Sequence, residues 1–367
     1  MTEQLKKILF VTAFPPNELT AGQYFSKDLI NQLAEQFEIE LITFSYKNHV
    51  IDVNPKVKYK IFKLNSFTKL TNSINKFYIH PIFTARFNSN WNNIIKLKAQ
   101  KADYIFFDFS QVLIYDFYLN HPQKMIRLHD IIAQKYTRGS IFNKMQFLWV
   151  KLSEKYLLKY SNSIFTLSNK DAKLLDLNYK RKSIIFNGPL KPITFNLENN
   201  NINNNEFCFY GAWNRRENEM GLIWFIYKVL PSLSTNFTFK IIGPGLSKKL
   251  RLKINEFGNL KYLGFVENPL LEIFKSSGLI APIFSGAGIK IKVLDSISVG
   301  TPVIGTDIAF EGIEVNSEIC ALIECKTSEE FIDAINNFNP PNLLQKISLI
   351  NAIKNHYKAD NITDFFK

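Results

Sequence analysis

The chain is short of cysteine, has no long apolar run and no Asp-x-Asp pair, and carries little acid in its first half; each absence excludes something. Only Cys208, Cys320 and Cys325 occur in 367 residues. Odd in number and without metal-site spacing, they argue against a disulfide framework and fit core or surface thiols in a reducing compartment. No uninterrupted apolar stretch approaches the roughly 18 residues that span a bilayer. The N-terminal MTEQLKKILFVTAF reads as a short strand before Pro15-Pro16 and lacks the layout of a secretion signal, so a cytoplasmic location is expected, with the inner face of the cytoplasmic membrane as its variant. With five dispersed histidines and no Asp-x-Asp, neither a metal nor a cofactor is expected.

What is present suits two domains of ordinary size: 46% hydrophobic and 14% aromatic content can fill two cores. The charge is divided unevenly. Residues 1–200 hold 28 Lys+Arg against 15 Asp+Glu, and residues 201–367 hold 17 against 17, so the whole excess of +13 lies in the N-terminal half. One basic half points to an anionic surface, either a membrane leaflet, a lipid pyrophosphate or a nucleic acid, or else to scattered solvated lysines. Trp91, Phe147 and Trp149 fall at helical spacing and no RNA-binding module is recognisable, which disfavours nucleic acid. Between Phe142 and Lys159 lysines alternate with aromatic and apolar residues; that helix either rests on an anionic leaflet or packs inward and leaves only its lysines outside.

Along the chain, strands are expected at Lys7–Thr12, Ile39–Phe44, Val57–Phe62, Tyr104–Phe107, Met125–Leu128, Ser163–Leu167 and Ser183–Phe186, with helices between them, from about Gln23 to Gln36 and near 90–100, 111–119, 141–160 and 169–177. Apolar strands alternating with helices indicate a parallel sheet covered on both faces. The prolines and asparagines of 189–205 read as a linker between a domain at 1–188 and one at 206–349. The second series runs through strands Phe207–Tyr210, Phe237–Ile242, Leu260–Leu263, Leu279–Pro282 and Pro302–Gly305, with a last helix at about 342–357.

The densest signal is Ser285–Asp307, SGAGIKIKVLDSISVGTPVIGTD. Gly286 and Gly288 let a turn approach a ligand closely, and the helix that follows points free N–H groups outward, the layout of a phosphate site. Lys290 and Lys292 add positive charge; Gly300 and Pro302 end the helix and force the chain into a strand. Asp295 falls in mid-helix. A second strand end, Gly211 to Asn218, carries Arg215 and Arg216, whose guanidinium forks suit phosphate. At a third, Arg127-Leu128-His129-Asp130, a histidine beside an aspartate can form a polarised pair with a tunable charge, or serve as a satisfied structural histidine.

These segments resemble retaining, nucleotide-sugar-dependent GT-B glycosyltransferases of the GT4-like type. The first is similar to the branch pattern G-x-G-I-x-x-K-V-L-E at Gly286, Gly288, Ile289, Lys292, Val293 and Leu294, with Asp295 in place of Glu and Ala287 where the better-known pattern has its first glutamate. The second is similar to G-x-M-x-W-x-P-N-x-x-G-L-x-W-F at Gly211, Asn218, Gly221, Leu222, Trp224 and Phe225, with Arg215 and Glu217 where Trp and Pro are usual. The resemblance implies an α/β GT-B fold of two facing Rossmann-like domains with a cleft between them and a C-terminal tail, 350–367, packing back on the first.

It also implies site roles. Gly22, Arg215, Arg216, Gly243, Gly288, Ile289, Lys290 and Lys292 would hold the donor and its phosphates. Phe265 or Val266 would lie beside the base, with plain core as the alternative for Phe265, and Asp295 would hold ribose hydroxyls. His129, Asp130 and Asp295 are the catalytic candidates. The implied activity is metal-independent, retaining transfer from a nucleotide-sugar to a surface glycan or lipid-linked acceptor, with a nucleotide-sugar-binding protein without transfer, or a GT-B epimerase, as the alternatives.

Overall fold

The computed structural model describes residues 5–18, 20–46, 50–137, 141–315, 321–357 and 362–366; Cys320 and parts of the C-terminal tail lie outside them. The chain divides into two compact units, Met1–Pro189 with Ala359–Lys367, and Leu190–Lys358.

The first unit runs β1 (Lys7–Thr12), α1 (Ala21–Leu33), β2 (Glu38–Ser45), β3 (Lys58–Lys63), α2 (Ser66–Asn75), α3 (Pro81–Thr84), α4 (Ser89–Ala99) and β4 (Tyr104–Asp108). It continues with α5 (Leu113–Tyr118), β5 (Lys124–Leu128), α6 (Ile132–Thr137), α7 (Ile141–Leu158), β6 (Ser163–Thr166), α8 (Asn169–Tyr179) and β7 (Ile184–Ile185). All seven strands pair in parallel in the order β3-β2-β1-β4-β5-β6-β7. Period-two alternation sends Leu9, Val11, Ile105 and Phe107 into one core and Ile8, Phe10, Tyr104 and Phe106 into the other, so the apolar strands are covered on both faces. The second core is closed by Leu29, Ile30 and Leu33 of α1 and by Phe366, whose ring lies 5.3 Å from Tyr104 and 5.5 Å from Phe37.

The second unit runs β8 (Asn203–Tyr210), α9 (Arg216–Lys228), β9 (Thr238–Ile242), α10 (Lys248–Ile254), β10 (Leu260–Gly264), α11 (Pro269–Lys275) and β11 (Ser276–Ala281). After it come α12 (Ile291–Ser298), β12 (Val303–Gly305), α13 (Asp307–Phe310), β13 (Leu322–Glu324), α14 (Ser328–Asn336) and α15 (Leu343–His356). Its six parallel strands are ordered β10-β9-β8-β11-β12-β13. Phe207, Phe209 and Phe239 fill one core, and Cys208, Ile242, Leu279 and Val303 the other. Cys208 and Cys325 are both buried free thiols. In each sheet the strand order reverses once beside the first strand of the unit, between β1 and β4 and between β8 and β11, which is where open α/β sheets bind ligands outside their carboxyl ends.

Three expectations change. The segment 189–205 is no loose linker: Leu190, Ile193, Phe195 and Leu197 pack on the second unit's core, and the asparagine run already enters β8 at Asn203. Those four apolar residues, spaced through a polar stretch, are enough to anchor it. The tail divides, since Ile353 and Tyr357 stay with the second unit and, of the described residues, Ile362–Phe366 join the first. Helix α7 buries Val150, Leu157 and Leu158 but turns Phe142, Met145, Leu148 and Leu152 outward, so the alternative in which only lysines face out is overturned.

Candidate active site

In the first unit the site grows from two adjacent strand ends, those of β4 and β5. Asp108 closes β4, Arg127 lies within β5, and His129 follows it; Asp108 and Arg127 are wholly buried and His129 is about one-tenth exposed. Arg127 donates Nε to Asp108 Oδ1 at 2.8 Å and Nη2 to Oδ2 at 3.1 Å, a bidentate pair. Ser26, on α1, donates its hydroxyl to Oδ2 at 2.5 Å. His129 Nε2 is 2.9 Å from Oδ1. The carboxylate that pairs with His129 is therefore Asp108 from the neighbouring strand, correcting the expected pairing with its sequence neighbour Asp130, because side chains of consecutive residues leave a strand end in different directions.

Electrostatics then assign the tautomer. Burial alone would raise the Asp108 pKa, but the Arg127 charge and the hydrogen bonds from His129 and Arg127 outweigh it and hold the carboxyl well below the usual range, so it is an ionised acceptor. Burial pushes the His129 pKa down, with Asp108 opposing, so the ring is neutral. A neutral imidazole donating Nε2–H to a carboxylate leaves Nδ1 as a bare acceptor. That atom faces Gly22 in the first turn of α1, where a Cβ would come within 3.2 Å of Nδ1 and 2.7 Å of the Phe109 ring. Phe109 itself lies flat on His129, 3.7 Å between ring centroids at 10°, with φ +76°. A bulky residue in that region is strained, and such strain collects at functional sites.

In the second unit the turn, helix and strand of Ser285–Asp307 form as expected, with Gly286 at φ +114° and Gly288 at +71°. Lys292, in the first turn of α12, donates to Asn218 Oδ1 at 2.7 Å, and Asn218 in turn donates to the Ala212 carbonyl at 2.8 Å. Burial pushes the Lys292 ammonium down to about 7, with Glu217 opposing and Arg215 adding to the shift. Lys292 also stands 5.9 Å over the buried Trp213 ring, whose Nε1 donates to the Ile242 carbonyl. Tyr210, Trp213, Asn218, Pro282 and Lys292 line a small cavity at the carboxyl ends of β8 and β11.

Gly211 leaves room for the ammonium, since a Cβ there would stand 3.0 Å from Lys292 Nζ. Gly243 has φ +112° and a Cβ there would meet the Gly211 carbonyl at 2.1 Å, so only glycine fits the crossing of the two strand ends.

The remaining expected residues separate. Arg215, the N-cap of α9, and Arg216 are exposed at the same strand end as Lys292. Lys290 turns back, donating to the Gly288 carbonyl at 2.7 Å, and Ile289 packs against the core. Phe265 is 77% exposed, which removes the plain-core alternative, whereas Val266 packs on the core. Asp295 is 3% exposed and pairs through Oδ2 with Lys191 at 2.7 Å, a partner 104 positions away that no local pattern shows. Burial raises the Asp295 pKa and Lys191 opposes it. Among the described residues no group of three or more His, Cys, Asp or Glu side chains is gathered as a metal site would require.

Residues 204–338 match the Glycosyl transferases group 1 family. An uncharacterised 44.6 kDa protein in the cps region of Klebsiella pneumoniae is 28% identical over 249 residues, 60% of this chain; the match spans 61% of that relative's length. Among solved structures, Anabaena HepE in complex with UDP superposes with a TM-score of 0.65 at 13% identity, covering 97% of this chain and 96% of that one. An S. aureus TarM variant in complex with Fondaparinux, alpha-GlcNAc-glycerol and UDP gives 0.68 at 13%, covering 99% of both chains. At these identities the superpositions speak for the fold. Residues 204–338 of the second unit are thus similar to a glycosyl transferases group 1 domain, and the chain shares its fold of two Rossmann-like units with HepE and TarM.

Proposed function

We propose that the protein is a retaining glycosyltransferase that moves a sugar from a nucleotide-sugar to a surface-glycan acceptor. The observation that carries the reading is the Lys292 ammonium, held by Asn218 over Gly211 at the switch point of a unit similar to a group 1 domain. Lys292, Arg215 and Arg216 meet the diphosphate, Phe265 the base, and Asp295 a ribose hydroxyl while committed through Oδ2 to Lys191. His129 accepts a hydroxyl of the reacting sugars on Nδ1. Basic side chains and the start of α12 offset the leaving charge, so no metal is assigned to the step. HepE, solved with UDP, and the cps-region location of the Klebsiella relative support a nucleotide-sugar donor and a polysaccharide acceptor.

Release of nucleoside diphosphate from a panel of nucleotide-sugars, with a glycan extract as acceptor and EDTA in a parallel arm, tests the reading. Transfer that persists in EDTA is expected. Tight binding without release for every donor would establish the non-transferring alternative.

Lys292 yields a sharper expectation. A bound diphosphate favours the charged ammonium and so raises a pKa that starts near 7. At pH 8 binding should therefore take up a proton, measurable by calorimetry in buffers of different ionisation enthalpy. Lys292→Ala should abolish the uptake and weaken the diphosphate by about 1.5–3 kcal/mol while sparing the nucleoside. Equal diphosphate affinity in both proteins would remove Lys292 from the site.

We further assign the outer face of the first unit to an anionic leaflet. Met145 and Leu148 of α7 are 75% and 61% exposed, and Phe67, Leu70 and Ile74 of α2 are exposed as well; Tyr78 just beyond α2 meets Tyr156 of α7 at 6.5 Å. Lysines 144, 151, 155 and 159 accompany this face, and each basic residue near such a surface contributes about 1 kcal/mol. The full chain should co-sediment with anionic but not neutral vesicles, and Met145→Glu with Leu148→Glu should release it. Indifference to lipid charge at low salt would overturn the assignment.

A further inference from the structure

Arg86, which follows the short helix α3, is built into the carboxyl edge of the first sheet. Its Nε donates to the Ala13 carbonyl just past β1 at 3.0 Å, and its guanidinium carbon stands 4.5 Å over the Phe14 ring. The backbone is fixed as well, since the fully buried Tyr115 donates its hydroxyl to the Arg86 carbonyl at 2.7 Å. Among the described residues no carboxylate pairs with this side chain, and the residue is half-buried, so its guanidinium fork is open to solvent. Burial of part of the side chain pushes its pKa down to about 10, so it stays charged at neutral pH.

The arginine belongs to a continuous row. Phe14 meets Phe109 edge to face at 5.0 Å, and Phe109 stacks on His129 at 3.7 Å. The row follows the order of the strands, with Phe14 and Arg86 past β1, Phe109 past β4 and His129 past β5. Two strand spacings separate its ends, about 10 Å. Phe14 is partly exposed and backed by the buried Phe109, so it offers apolar surface to a sugar ring, and a guanidinium fork suits a carboxylate or phosphate. A half-buried guanidinium with no internal carboxylate is left to water or to an anion that completes it.

We propose that Arg86 and the partly exposed Phe14 form an acceptor subsite for a glycan that carries an oxyanion, carboxylate or phosphate, about one sugar residue from the group that reacts at His129. The inference rests on the transferase reading for the word acceptor, while the binding itself does not. It also places part of the N-terminal excess of positive charge at a ligand rather than at the membrane face.

The experiment titrates methyl glucuronoside, methyl phosphate and the uncharged methyl glucoside into the full chain, followed by the side-chain NMR signals of its arginines. The two anionic probes should bind at least tenfold more tightly than the glucoside, and the tighter of them identifies the acceptor's anion as carboxylate or phosphate. Arg86→Gln should reduce both to the glucoside level without altering nucleoside-diphosphate affinity, and Arg86→Lys, which keeps the charge but not the fork, should fall between. Unchanged anion affinity in Arg86→Gln, or no preference for anions in the parent, would overturn the subsite. If the transferase reading fails instead, diphosphate release is absent while the Arg86-dependent anion binding persists.

Discussion

Replacing Asp108 by Ala should destabilise the protein by about 3–5 kcal/mol, the cost of breaking a buried ion pair from one side. Arg127 is wholly buried and receives no help from elsewhere: apart from Asp108 its hydrogen-bond partner is the Phe25 carbonyl at 3.2 Å, and its Nη1 is already buried without a partner. Removing the carboxylate would therefore leave an uncompensated charge under α1, while the Ser26 hydroxyl keeps the Gly22 carbonyl at 2.9 Å as its acceptor. Urea unfolding of the parent, Asp108→Ala and the double variant Asp108→Ala with Arg127→Met measures it, and the double variant should recover much of the loss. The acid limb follows the same pair. A carboxyl held below its unfolded value stabilises above that value, about 3.9, and loses the contribution as pH falls through the folded pKa, so the parent should keep the pair at pH 4–5. A loss under 1 kcal/mol for Asp108→Ala would mean that Arg127 reaches water when unpaired.

This centre was only partly legible in the sequence. Continuous apolar runs disclosed β1, β4 and β8, and the phosphate-site elements were readable because the glycines, Lys292 and Asn218 lie in short motifs whose spacing is itself the chemistry. His129 was readable as a polar residue ending an apolar strand. Its partner was not, since Asp108 lies 21 positions away and comes alongside only through the parallel register of β4 with β5, Asp108 opposite Arg127. One signal was available: an arginine inside the apolar run of Met125 to Leu128 needs a buried carboxylate, and the Asp in Phe106-Phe107-Asp108-Phe109 is placed to supply it. The positive φ of Phe109 leaves no mark in composition. Lys191 with Asp295, and Arg86 on Phe14, likewise exist only through packing of segments distant in sequence.

His129→Ala should lower turnover on the order of a hundredfold or more while moving the melting temperature little. The argument is geometric. Nε2 is committed to Asp108, so the atom offered to a sugar hydroxyl is Nδ1, and that nitrogen accepts most strongly while Asp108 stays an anion. Deleting the ring removes that acceptor but leaves Arg127 and Ser26 on the carboxylate, which is why the fold should survive. Asp108→Asn separates position from charge, because an amide oxygen at the Oδ1 site can still accept from Arg127 and from Nε2 but no longer carries the negative charge that polarises the imidazole and strengthens Nδ1 as an acceptor. It should therefore lose turnover at unchanged nucleoside-diphosphate affinity, with an altered pH profile of kcat, whereas a purely structural aspartate would leave the profile of the folded fraction intact. If His129→Ala unfolds early while its remaining folded fraction turns over normally, the histidine is part of the framework and the acceptor on Nδ1 has no role in transfer.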